Sequence, residues 1–209
     1  MSFYAASSIT PRRASILLSL LTVVGLVLAM TTHALAGPNA GGVLIVHGDP
    51  EFAATGSECE AINLNYCNQA DPWLPSDGDR YTWWVLAAFP DGSSPRMSGV
   101  QFGIDYWSDE VEITDWGICG DLAIPDQNWP QPGSGISVVW TSTQTSQVTP
   151  VGWFETRVLQ AYVAYWAYVY IEESSRPEGG AFVDDSVPGI LDPIADYGVM
   201  GFGDPGENY

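Results

Sequence analysis

The sequence predicts an all-β protein, an antiparallel β-sandwich or jelly-roll-like single domain that follows an N-terminal signal helix. Three observations carry this. From Gly37 on, short β-branched and aromatic runs recur, separated by turn chemistry such as Asp77-Gly78 and Pro90-Asp91-Gly92. Val100, Phe102, Ile104 and Tyr106 alternate with Gln101, Gly103 and Asp105, the period of a strand with one buried face. No internal repeat, linker or compositional break divides residues 37–209.

The elements follow in order. Arg12-Arg13, an apolar run over 14–30 and Ala34-Leu35-Ala36 before Gly37 form a charged region, an apolar region and a small-x-small cleavage site. Residues 1–36 therefore read as a secretory signal peptide and 37–209 as the secreted β domain. An uncleaved anchor is the alternative, since the apolar run is long for a leader and short for a membrane span. Residues 43–47 read as a buried strand and 51–80 as polar, irregular chain. Residues 81–89, apolar on both faces, read as a central strand. Val111 and Ile113 continue the alternation of 100–106, so the two segments predict a hairpin. Residues 118–124 read as a strand carrying Cys119, 125–135 as a loop, 136–141 as a strand and 144–149 as a polar spacer. Residues 151–158 and 161–171 close the strong segments, the latter as strand with a helix as the alternative. A short strand over 181–183 precedes a tail that, from Pro188 on, wraps over the domain.

Charge narrows the function classes. Residues 37–209 hold four arginines, no lysine and all 25 acids, a net −21 with histidine neutral. No cation cluster exists to displace counterions from phosphates, so nucleic acid is disfavoured, as are anionic lipid surfaces. No membrane association is expected once the leader is cleaved. A secreted location, periplasmic or extracellular, suits a cationic partner, a divalent cation, or a glycan or other extracellular surface. In an oxidising compartment two of Cys59, Cys67 and Cys119 pair, any of three ways, and burial is expected for the remaining thiol. Zinc is disfavoured by the cysteine spacings and by His47 being the one histidine left after cleavage.

The same shortage limits catalysis. Nucleophilic triads need a histidine or lysine base, and His47 stands at a strand end where a polar residue is ordinary. Paired carboxylates remain, with Glu110, Glu112, Glu155 and Glu172 beside predicted strands. Of nine tryptophans, Trp73, Trp107, Trp116 and Trp129 fall in or beside loops and could stack on sugar rings; Trp83, Trp84, Trp140, Trp153 and Trp166 fall in predicted strands and read as core. Asp71, Asp77 and Asp79, and separately Asp184 and Asp185, are the candidate Ca²⁺ ligands, though neither set has EF-hand spacing. The reading is a secreted or cell-surface structural or binding β-sandwich, with a carbohydrate-active hydrolase or sugar-binding module as the alternative.

Ala36-Gly37-Pro38-Asn39-Ala40-Gly41-Gly42, Ala88-Phe89-Pro90 closing the strand from Val85, Ser94-Pro95-Arg96, Phe102-Gly103-Ile104 and Phe182-Val183-Asp184-Asp185 span most of the mature chain. On these segments the sequence resembles a family of uncharacterised secreted bacterial proteins. The resemblance implies a secreted single domain and no activity, cofactor or catalytic residue.

Overall fold

A computed structural model describes residues 37–54, 56–62, 64–159, 163–177 and 179–209. The leader expectation for residues 1–36 lies outside the described residues. The strands are β1 (Val43–Gly48), β2 (Trp73–Leu74), β3 (Arg80–Ala88), β4 (Met97–Tyr106), β5 (Val111–Ile118), β6 (Leu122–Pro125), β7 (Ser134–Gln144), β8 (Val148–Val158), β9 (Ala167–Glu172), β10 (Ala181–Asp184), β11 (Leu191–Pro193) and β12 (Val199–Phe202). One short helix, α1 (Glu58–Ala61), lies between β1 and β2.

The strands form a β-sandwich of two sheets. The smaller has the order β1-β3-β8-β5, all antiparallel. The larger centres on β4, whose one side pairs β7, which in turn pairs β6. Its other side pairs β10 along its first half and β9 along its second, and β11, β12 and β2 complete the sheet. Only β2 and β12 run parallel among these pairings.

Aromatic burial sets the sheet spacing. Trp83 of β3 and Phe154 of β8 are register partners with ring centroids 4.7 Å apart and planes 22° apart. Trp83 Nε1 donates to Thr156 Oγ1 at 2.9 Å, so the buried indole leaves no unmet donor. Trp129, from the β6–β7 loop, meets Phe102 and Trp116 edge-on and lies tilted on Phe154, closing one end of the core. Residues 81–88 of the expected strand 81–89 lie in central β3, with Phe89 just past its end, and β3 is covered on both faces. Its second face carries Trp84, Leu86 and Ala88, which join Ile45 and Val148 in a smaller core. Residues 49–72 lie over this core as a flap that contributes Phe52, Ile62, Leu64 and Ala70. Trp84 Nε1 donates to the Glu58 carbonyl at 2.9 Å, and a Cys59–Cys119 disulfide ties the flap to the end of β5.

The free edge of β1 is closed by the tail. Leu44 N–H donates to the Asp196 carbonyl and Gly198 N–H to the Leu44 carbonyl. Beyond them, Val46 N–H donates to Asn208 Oδ1 while Asn208 Nδ2 donates to the Val46 carbonyl, both at 2.8 Å. The tail is thus woven into both sheets rather than merely wrapped over them.

Several expectations are corrected. Residues 100–106 and 111–113 do not form a hairpin: β4 belongs to the larger sheet and β5 to the smaller, so the chain crosses between layers at Trp107–Glu110. The alternation was real, but period two reports a face and not a partner. Residues 118–124 are broken by a bend at Cys119–Asp121, where the chain moves from β5 to β6. The spacer at 144–149 shrinks because β7 runs to Gln144 and β8 starts at Val148. In the stretch 161–171, Val163–Trp166 are turn and linker and the strand begins at Ala167; residues 161 and 162 lie outside the described residues. Residues 51–80 hold α1, a 3-10 turn at Cys67–Gln69 and β2. Cys67 is exposed rather than buried, since the flap turns it outward.

The disulfide spans 60 residues of sequence, and closing such a loop in the unfolded chain is worth about 4 kcal/mol in the chain-entropy model. Replacing both Cys59 and Cys119 by serine should therefore lower the unfolding free energy by roughly 2–4 kcal/mol in urea titrations. Cys67→Ser should leave the midpoint within error of the parent.

Candidate functional site

The predicted site residues do not converge. Trp107 is exposed, but Trp73 is half-buried in β2, and Trp116 and Trp129 are edge-on partners packed against the core. The four tryptophans form no common platform. Asp77 accepts from the Tyr81 hydroxyl at 2.7 Å and from Asp79 N–H, and the first of these bonds holds its carboxyl below the usual range. Asp71 and Asp79 are exposed. Asp184 accepts from Ser186 N–H and Oγ and from Ile190 N–H, so it fastens the β10–β11 loop. Asp185 pairs with Arg96 and accepts from Thr143. Among the described residues no three His, Cys, Asp or Glu side chains gather as a metal site.

The carboxylates proposed for hydrolysis are also engaged or dispersed. Glu112 pairs with Arg157, and Glu155 with Arg80 and Thr114, all along the outer side of β5 and β8. Burial raises Glu110, with Asp109 adding to the shift. A cleft of about 620 Å³ lies between the flap and the β7–β8 turn, lined by Ile62, Leu64, Tyr66, Leu86 and Gln147 among others. Among the described residues its lining carries neither carboxylate nor histidine, so these side chains offer no acid–base pair there. His47 is held structurally: its Nδ1 accepts from Asp71 N–H at 3.0 Å and its ring lies alongside Trp84. Burial lowers its pKa, outweighing the opposing pull of Asp49 and Asp71.

The outer face of the larger sheet differs from the rest of the surface. Pairing places Leu122 and Ile124 of β6, Val139 of β7, Gly99 of β4, Val183 of β10 and Leu191 of β11 on one face across five strands. Leu122, Ile124 and Leu191 are each about half exposed. Gly99 floors a shallow groove between Val139 and Val183, and no charged side chain lines that groove. Its polar border is a relay in which Arg176 donates to Ser137, Ser137 to Gln101, and Gln101 to the Gly179 carbonyl.

The same face continues along β9 with a different character. Ala167, Val169 and Ile171 point into the core, which leaves Trp166, Tyr168 and Tyr170 on the outside with Glu172. Trp166 is 68% exposed, so its expected place in the core is corrected. Asp105 stands opposite Tyr170 in register, and burial, then Asp105, pushes the Glu172 carboxyl up. Tyr168 donates to Asp204 at 2.7 Å, which with burial raises its hydroxyl to about 12. The signal was present in the sequence: small apolar residues alternate with aromatics over 166–171. Reading the tryptophans of predicted strands as core, Trp166 among them, concealed it.

No family model matches the sequence, and no curated protein does. The fold is similar to a cohesin module from a family 33 glycoside hydrolase of Clostridium perfringens, with a TM-score of 0.50 and 6% identity over 78% of this chain and 96% of that one. It is also similar to a type II cohesin domain from the cellulosome of Acetivibrio cellulolyticus, with a TM-score of 0.50 and 11% identity over 78% of this chain and 95% of that one. At these identities the likeness shows the fold alone, a β-sandwich of the jelly-roll class.

His47 gives a pH prediction. Its folded pKa lies below the unfolded value of about 6.5, so the unfolded chain takes up the proton first as pH falls. Stability should be unaffected by this group above about pH 7 and should decline as pH drops through 6.5 toward 5. In denaturant titrations, His47→Gln should flatten that part of the profile relative to the parent.

Proposed function

We propose that this chain is exported and works as a non-catalytic binding module that docks a protein partner on the outer face of its larger sheet. One contrast carries the reading. On the outer face of the smaller sheet the apolar residues of β1, β3 and β8 are covered by the chain's own disulfide-tied flap and the rest carries paired charges, whereas the larger sheet leaves an apolar strip of five strands open to solvent. In a chain of net charge −21 beyond residue 36, an uncharged strip of this kind is the place where a partner meets little desolvation cost. Export is supported by the leader pattern over 1–36 and by the disulfide, which suits an oxidising compartment. Two solved structures of similar fold are a module from a glycoside hydrolase and a domain from a cellulosome, both parts of larger molecules. The partner's rim would be basic, because each of the four arginines present here already pairs within the chain.

Trp166, Tyr168 and Tyr170 at alternate positions favour a second reading, a glycan stacked along β9 with its hydroxyls donating to Asp105 and Glu172.

A photo-crosslinking residue at Ile124 or Leu191, in cells that make the protein, should yield a discrete adduct, and the same residue at Ala61 on the flap should not. Equal labelling at all three positions, or none, removes the docking reading. On an array of oligosaccharides, retention that falls about tenfold in Trp166→Ala would establish the glycan reading, and the absence of any retained sugar would end it.

A further inference from the structure

The residue just after the leader pattern is fixed to a buried carboxylate at the other end of the chain. Asp192 of β11 is 2% exposed, and its two oxygens accept from Gly37 N–H at 2.6 Å and Asn39 N–H at 2.9 Å. A Cβ on residue 37 would fall on that carboxylate, so a larger residue there would push Asp192 from its seat. Asn39 is fully buried and reinforces the seat: its Oδ1 accepts from Arg96 N–H and its Nδ2 donates to the Arg96 carbonyl. Two backbone bonds, Ala40 N–H to Gly37 and Gly42 N–H to Asn39, fold 37–42 into a tight turn on this seat.

The seat contains a negative charge and no cation. Among the described residues all four arginines are paired elsewhere: Arg80 with Glu155, Arg96 with Asp185, Arg157 with Glu112 and Arg176 with Asp126. The chain has no lysine. A carboxylate this buried is stabilised strongly by a positive donor and only partly by amide N–H groups.

The geometry points to Ala36–Gly37 as a processing site whose product amine completes the fold. Water, with a membrane-bound signal peptidase as catalyst, breaks the Ala36–Gly37 C–N bond. The carboxylate stays on Ala36, and the Gly37 amine takes a proton and becomes an ammonium already seated 2.6 Å from Asp192. Cleavage thereby converts an amide contact into an ion pair joining the first residue of the mature chain to β11, 155 positions away. The inference rests on the export reading. It goes beyond it by giving the cleaved end a structural role.

The other charged groups on elements against this turn are engaged or exposed. Arg96 pairs with Asp185, Asp184 is bonded to Ser186 and Ile190, and Asp196 is exposed. The α-amine, ordinarily near pKa 8, is raised by the pairing, so its contribution is complete below about pH 8 and fades as pH rises through the raised value.

The test uses two preparations. Mass spectrometry of the protein exported by a producing bacterium should show Gly37 as its first residue. In parallel, the chain from Gly37 is made behind a removable fusion whose protease leaves no extra residue, and unfolding is measured before and after cleavage. Cleavage should raise the folding constant about tenfold at pH 7, with the gain fading between pH 8 and 10. Asp192→Asn should remove both the gain and its pH dependence. Because residues 37–209 hold no lysine, an amine-selective acetylation, followed by hydroxylamine to strip any tyrosine or cysteine esters, modifies the Gly37 amine alone and should reproduce the uncleaved stability if the aspartate variant fails to fold. An exported protein beginning at another residue overturns the processing site and the export boundary together. A Gly37 start without a pH-dependent gain overturns the pairing alone and leaves export intact.

Discussion

Everything in the sandwich is referred to the contact of Trp83 with Phe154. The two rings are neighbours across β3 and β8, and the one polar atom of the pair is met by Thr156. Fixing that register fixes which residues of β3 face outward, and the next residue, Trp84, is thereby committed to the opposite side. Left bare, that indole would expose a large apolar surface together with Leu86 and Ala88, and the flap, through Phe52, Ile62, Leu64 and Ala70, covers it. The larger sheet has no equivalent large aromatic under its apolar strip, so nothing obliges the chain to cover it. The asymmetry between a flap-covered apolar cluster and an open apolar strip follows from where two adjacent tryptophans fall in one strand.

Fold class was legible because burial imposes period two wherever one face meets a core, and β4 shows that period cleanly. Partner choice was not legible. The same alternation runs on into β5, which the chain sends to the other sheet, since a four-residue connection can close a hairpin or cross between layers equally well. The candidate site was missed for a related reason. Hydrophobicity does not separate a tryptophan that fills a core from one that lies on a surface, and Trp166 and Trp140 read alike until the strand's inward residues are known. The Cys59–Cys119 choice and the contact of Gly37 with Asp192 join segments 60 and 155 residues apart, and nothing local in the sequence records them.

Acidity is organised rather than uniform. Some acids hold turns through backbone bonds, as Asp184 does; some neutralise the few arginines; the remainder face solvent. With each arginine among the described residues paired to a carboxylate, the unbalanced charge of the surface outside the apolar strip is negative. Two copies of the chain would repel over most of their approach, which biases association toward unlike partners.

Asn208 bonds to Val46 with both halves of its side-chain amide, donor to acceptor and acceptor to donor, as a neighbouring strand would. A single side chain thus imitates a peptide unit on the free edge of β1, between the rungs that Leu44 makes to Asp196 and Gly48 to Asp71. An uncapped rung there would be a template for another molecule's backbone, and strand-by-strand polymerisation begins at such rungs. Asn208 therefore joins the tail to β1 and at the same time withholds that rung from the backbone of a second molecule.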